Sequence, residues 1–271
     1  MSEVKYILGH SQAEMRRLIL QAGILKPITE RLLREAGIKT GMRILDLGSG
    51  AGDVAMLVAE LVGPSGSVVG IDRSADAIAL AKERVSAAGH SNIRFHQGDV
   101  EDFVDPVPFD LAIGRYVLIH QANPRAFICS AASLIRRGGA IAFHEPSISR
   151  VDKVFPSVEL LQKCFDWIIA AFVSAGTSLN AAENMGRHLQ AVGLKQLRLF
   201  CEMPVGGDST SPILTWLSST VRSALPQLKL IDSAIAQEVE IETLEHRLRE
   251  AVTVANVQVV GPAQMCGWAR V

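Results

Sequence analysis

Several functional classes are excluded by what this chain has little of. Only 5% of its 271 residues are aromatic, and these are not interleaved with lysine and arginine in the way of single-stranded nucleic-acid binders. The formal charge is −1, so no global field draws the chain to nucleic acid or to an anionic membrane. The apolar runs are interrupted well short of the roughly 18 residues that a bilayer span needs. The four cysteines, Cys129, Cys164, Cys201 and Cys266, are scattered. They form no CxxC pair, and no histidine cluster has zinc-ligand spacing, so structural thiols in a reducing cytoplasm are expected. The first residues carry Glu3, Lys5, His10 and Glu14 in place of a signal-peptide core, which also points to the cytoplasm. Repeats and low-complexity segments are lacking. With 48% hydrophobic residues, the chain can bury the core of one large or two small domains.

Against this background the segment Arg43–Asp53 stands out. Ile44, Leu45 and Leu47 make the short apolar run of a buried parallel strand. Gly48, Gly50 and Gly52 follow, and Val54, Met56, Leu57, Val58, Leu61 and Val62 continue as a helix. The spacing is G-x-G-x-G. A dinucleotide fingerprint, G-x-G-x-x-G, needs glycine at 53, where Asp53 stands. A carboxylate in the first turn of that helix also repels a pyrophosphate. The turn therefore reads as built for a nucleoside ligand without a phosphate bridge.

Beyond it, strands and helices alternate. Strands are expected near 43–47, 67–71, 92–96, 109–113 and 139–143, with helices near 53–61, 75–88, 100–103 and 124–135. This alternation marks a parallel sheet covered on both faces, with ligands at the carboxyl ends of its strands. Residues 11–37 read as helices broken at Pro27. After Pro146 helices are expected at 152–175, 182–192, 213–223 and 227–250, a loop at Gly206–Pro212, and strands at 194–203 and 264–271. The expected architecture is an α/β, Rossmann-like, doubly wound and mostly parallel seven-stranded sheet. It divides into an N-terminal helical lid (1–37), a core (38–205), a helical insertion capping the substrate (206–250) and a final core strand (251–271).

Four ordered motifs resemble those of the class I S-adenosylmethionine-dependent methyltransferases, clearly over residues 38–145 and in outline beyond. Asp46-Leu47-Gly48-Ser49-Gly50-Ala51-Gly52 is similar to the family's first motif, where the glycine backbone passes under the methionine and sugar of the cofactor. Asp72 ends the second strand, where the resemblance implies bonds to the ribose hydroxyls, with Arg73 along the adenine face; the alternative for Asp72 is a helix cap. Gly98-Asp99-Val100 follows the third strand. The resemblance gives Asp99 the adenine amino group and the Val100 amide a ring nitrogen, the alternative again being a cap. Arg115 ends the fourth strand at the methionine end of the cofactor. Leu134–Gly139 is similar to the turn before the fifth strand, with Arg137 where proline is usual. The segment Tyr6–Leu18 resembles the entry segment of a bacterial small-molecule branch, and Tyr6, His10 and Arg17 are then lid groups; the alternative is a solvated terminus.

The resemblance implies S-adenosylmethionine as cofactor, S-adenosylhomocysteine as product, and in-line displacement at the methyl carbon. No Asn/Asp-Pro-Pro-aromatic segment follows the fourth strand, which argues against amino methylation of nucleic acid. Asp110 lies at that strand's start and Arg115 has the wrong charge for a cation site, so no metal is expected. If the acceptor must lose a proton, His120, His144, Glu145, Tyr6 and Tyr116 are the candidate bases, with His120 the best single one for its near-neutral pKa. His120 has the alternative of a buried loop anchor, and strand parity sends His144 and Glu145 to opposite faces. Apolar helices at 155–172 and 213–225 suggest a lipophilic small-molecule acceptor, or else pack on the sheet or in a homodimer. The competing functions are a cofactor-binding protein without turnover, a related cyclase or decarboxylase, and a nicotinamide-dependent oxidoreductase.

Overall fold

The computed structural model describes residues 12–148 and 158–271. The chain divides into two compact units. One comprises Met1–Leu25, Pro146–Asn180 and Glu202–Ala263, the other Lys26–Glu145, Ala181–Cys201 and Gln264–Val271.

The second unit carries the sheet. Strands β1 (Arg43–Leu47), β2 (Ser67–Asp72), β3 (Ile93–Gln97), β4 (Phe109–Arg115) and β5 (Ile135–Ser147) alternate with helices α2 (Asp53–Val62), α3 (Ala75–Ala87) and α4 (Pro124–Ser133). With β6 (Lys195–Glu202) and β9 (Ala263–Arg270) they form a seven-stranded sheet in the order β3-β2-β1-β4-β5-β9-β6. The pairs β1–β2, β1–β4, β2–β3 and β4–β5 are parallel. The order reverses direction between β1 and β4, so the crevice at their carboxyl ends is a topological switch point. Ile44, Leu45 and Leu47 are fully buried, as a strand covered on both faces requires. Behind them α2 buries Val54, Leu57, Val58 and Val62. Helix α6 (Ala181–Ala191) packs against α4.

In the first unit, α5 (Glu159–Ser174) packs against α7 (Pro212–Ile231), and α7 also meets α8 (Ile235–Val239) and α9 (Leu244–Ala255). The apolar faces suggested by the sequence for a pocket wall, among them Phe165 and Ile168 of α5 and Leu214 and Leu217 of α7, are buried. The two-residue strands β7 (Val205–Gly206) and β8 (Val259–Val260) pair antiparallel, so Gly206 belongs to a small sheet and the loop begins after it. Residues 152–157, expected to begin a helix and including Phe155, lie outside the described residues.

Three local expectations are corrected. Helix α1 (Gln12–Ala36) runs unbroken through Pro27, and α7 runs through Pro226 to Ile231. Proline removes one helical hydrogen bond, but buried residues continue on both sides: Leu25, Ile28 and Leu32 in α1, Val221, Ala224 and Leu228 in α7. The expected helix at 227–250 is instead the end of α7, α8 and α9, parted at Asp232–Ala234 and again before Leu244. Residues 100–103 form turns, not a helix, closed by Asp102 N to Asp99 O and Phe103 N to Val100 O at 3.3 and 3.4 Å.

Candidate active site

The glycine turn lies between β1 and α2. Gly48 and Gly52 hold φ of +64° and +82°, conformations that a side chain strains. A Cβ on Gly48 would come within 3.1 Å of Val117, and one on Gly52 within 3.1 Å of Phe95. At Gly50 a Cβ would meet nothing within 4 Å among the described residues, so this side of the turn is open. Arg84 of α3 braces the turn, bonding Ala51 O and Asp53 Oδ1 at 2.7 Å each. Asp53 is thus engaged in a structural ion pair.

Asp72 ends β2 with both carboxylate oxygens on backbone amides: Oδ2 accepts from Gly50 N and Oδ1 from Ser74 N, each at 2.8 Å. It ties the glycine turn to the start of α3, where Ser74 caps the helix through Ala77 N. The helix cap is thus Ser74 and not Asp72, whose oxygens hold the glycine turn and the junction of β2 with α3. Gly98, at the end of β3, donates to Asp72 O at 3.0 Å. Arg73 pairs with Asp99, both partly exposed. Arg73 therefore bridges the ends of β2 and β3, and Asp99 already holds a cation. Val100 is buried beside it.

Asp46 and Ser49 are buried, and Asp46 Oδ2 and Ser49 Oγ have no hydrogen-bond partner among the described residues. Burial pushes the Asp46 carboxyl up to about 8, against the attraction of Arg115. Arg115 ends β4 beside this pair. Burial lowers the pKa of its guanidinium, while Asp53 and Asp46 oppose that as neighbouring charges. Asp53 is committed to Arg84, so it acts on Arg115 only from a distance.

Of the candidate bases, Tyr6 lies outside the described residues, as does the lid group His10. Arg17 is 4% exposed and paired with Glu14, with bonds of 2.7 and 2.6 Å, so it is not solvated. His120 closes a short 3-10 turn (Leu118–His120); burial depresses its pKa to about 4, leaving it neutral at pH 7. Glu145 is fully buried and accepts from the amides of Val117, Leu118 and Ile119 at 2.9, 2.8 and 3.3 Å. Its carboxylate anchors the turn after β4. His144 and Glu145 do diverge, but both reach buried protein partners: His144 meets Thr29 and Gln264. Nothing in the sequence singles out Thr29 or Gln264. They lie 115 and 120 positions from His144, and no local pattern announces the pairing.

These groups set a pH dependence. Burial raises Glu145 to about 7 although three amides hold it down, and Asp46 stands at about 8. A carboxyl with a raised folded pKa gives stability at low pH that is lost as pH rises through the folded value. His120 and His144, depressed to about 4 and about 3, do the reverse: their contribution is complete above 6.5 and lost as pH falls. The two effects oppose each other below pH 6.5. Above it the carboxyls act alone, so the ligand-free protein is expected to lose stability in urea titrations between pH 6.5 and 8. A rise over that interval would contradict these assignments.

Comparisons with known proteins agree with the geometry. The methyltransferase domain family matches residues 38–193. The chain is 30% identical over 183 residues to aklanonic acid methyltransferase DauC of a Streptomyces species, covering 64% of this chain and 83% of that protein. It is also 30% identical over 144 residues to the ubiquinone/menaquinone biosynthesis C-methyltransferase UbiE of Coxiella burnetii, covering 51% of this chain and 57% of that one. Of a further curated relative it spans 33% of the length. Among solved structures, a putative methyltransferase of Bacillus halodurans shares the fold, with a TM-score of 0.56 at 18% identity over 89% of this chain and 97% of that one. With the switch-point crevice, the open glycine turn and the matching domain together, the chain belongs to the class I S-adenosylmethionine-dependent methyltransferases.

Proposed function

We propose that the protein transfers a methyl group from S-adenosylmethionine to a small, lipophilic, non-polymeric acceptor. The observation that carries this reading is the set of unspent polar groups at the carboxyl ends of β1 and β4. Asp46 Oδ2 and Ser49 Oγ are buried without partners among the described residues, and the charge of Arg115 stands beside them. A ligand with an ammonium and a carboxylate on one carbon complements such a set. The backbone of Gly48 and Gly50 leaves room for the adjoining chain, Asp72 faces the ribose, and Arg73, Gly98, Asp99 and Val100 border the base. Bound there, S-adenosylmethionine supplies an electrophilic methyl group. The protein's own part is orientation and exclusion of water. Arg115 fixes the amino-acid end, and His120 is the candidate for taking an acceptor proton where one must leave, although burial makes it a weaker base than a free imidazole.

The names of DauC and UbiE, one for an organic acid and one for quinones, support a small-molecule acceptor. No described helix is long and apolar enough to cross a membrane. Four cysteines kept as thiols support action in the cytoplasm. The test is incubation with S-adenosylmethionine carrying an isotopically labelled methyl and a panel of hydroquinones and hydroxylated aromatic acids, read by mass spectrometry. One panel member is expected to gain a single labelled methyl. Label that never leaves the cofactor across the panel would contradict the reading.

A further inference from the structure

A second set of polar groups lies on the same sheet edge. Tyr116 follows Arg115 directly and has φ of +58°, a left-handed backbone that is strained for a bulky residue. Two bonds fix it: its amide donates to His144 O at 2.9 Å, and its hydroxyl donates to Gln264 Oε1 at 2.7 Å. The same oxygen lies 3.0 Å from His144 Nε2, and His144 Nδ1 lies 2.9 Å from Thr29 Oγ1. The Tyr116 ring stands edge-on to His144, with centroids 5.9 Å apart. Thr29, His144 and Gln264 are 0% exposed, whereas Tyr116 is partly exposed.

The direction of these bonds follows from proton counting. Buried His144 is neutral and carries one N–H. With that N–H on Nε2, facing the amide oxygen, Nδ1 accepts from the threonine hydroxyl. The described bonds of the chain then all run toward Gln264 Oε1, and the phenolic proton of Tyr116 is committed there. Any further hydrogen bond at the Tyr116 oxygen is one that it accepts. On either side of Tyr116 the chain already touches the cofactor site: Arg115 stands beside Asp46, and Val117 packs under Gly48.

We propose that Tyr116 is a specificity-determining residue for the methyl acceptor, its oxygen accepting a hydrogen bond from the O–H or N–H of a protic substrate. Gln264, His144 and Thr29 are positioning residues that fix the polarity of that oxygen. The inference rests on the methyltransferase reading and adds an acceptor class: a phenol, hydroquinone or amine that brings its own proton.

The experiment uses the full chain saturated with S-adenosylhomocysteine, and two probes that differ in one donor, 1-naphthol and 1-methoxynaphthalene. Calorimetry is expected to show about a tenfold preference for 1-naphthol, the worth of one hydrogen bond. In Tyr116→Phe that preference is expected to vanish with S-adenosylhomocysteine affinity retained. As a second readout, protein labelled with 13C at tyrosine Cζ gives a Tyr116 signal, identified by its loss in the variant. That signal is expected to move with 1-naphthol and not with the ether. Equal affinities in the wild type, no binding of either probe, or a preference that persists in Tyr116→Phe overturns the proposal. Failure to bind S-adenosylhomocysteine at the outset defeats the methyltransferase reading instead, before either probe is added.

Discussion

Glu145→Ala is expected to lower the unfolding free energy by about 3–5 kcal/mol, the cost of three unsatisfied buried amides less what hydration recovers. The substitution strips the acceptor from three consecutive buried amides, Val117, Leu118 and Ile119. Each unsatisfied amide costs about 1–3 kcal/mol, and partial hydration of the new cavity reduces the total. Glu145→Gln keeps one accepting oxygen but turns an N–H₂ toward the turn, so a loss of about 1–2 kcal/mol is expected. Urea denaturation of the three proteins makes the comparison. A loss below about 1 kcal/mol for the alanine variant would show that the turn after β4 stands without its carboxylate. The expectation also separates two roles for this residue, because a group engaged by three amides is a structural anchor before it is a base.

Asp72→Ala is expected to weaken S-adenosylhomocysteine binding by about 10- to 150-fold, equivalent to about 1.5–3 kcal/mol for hydrogen bonds to a charged group. Two effects combine. On the proposed reading the ribose hydroxyls lose their acceptor, and the Gly50 amide loses the bond that ties it to Asp72. Asp72→Asn retains an oxygen for Gly50 and is expected to fall between. Calorimetry on variants with native circular dichroism decides it. Unchanged affinity in a folded Asp72→Ala protein would remove this carboxylate from the site.

Much of this arrangement is legible in the sequence because its signals are local. The run Ile44–Leu47, the glycines after it and the apolar spacing of α2 occupy one continuous stretch, so strand, turn and helix declare themselves together. The end of each parallel strand then locates Asp72, Gly98 and Arg115 on one edge. The prolines mislead because local preference competes with packing: Pro27 and Pro226 each forfeit one bond while buried stripes continue past them. Arg17 reads either as a lid group or as part of a solvated terminus, and neither reading foretells that Glu14, Gln21 and, through Gln21, Trp216 enclose it. The Tyr116–Gln264–His144–Thr29 chain joins four distant segments, and hydrophobic period carries no information about such pairings. Glu145 is legible as a residue at the functional edge, but not as one engaged by the turn before it.

The crevice at the ends of β1, β2 and β4 is proposed as the site for S-adenosylmethionine. Isothermal titration of the purified protein with S-adenosylmethionine and S-adenosylhomocysteine, with NADH as control, tests it most directly. Saturable binding of the first two with a dissociation constant in the micromolar range, and none of NADH, is the predicted result. Binding of NADH, or of none of the three, would rule out this crevice as an S-adenosylmethionine site.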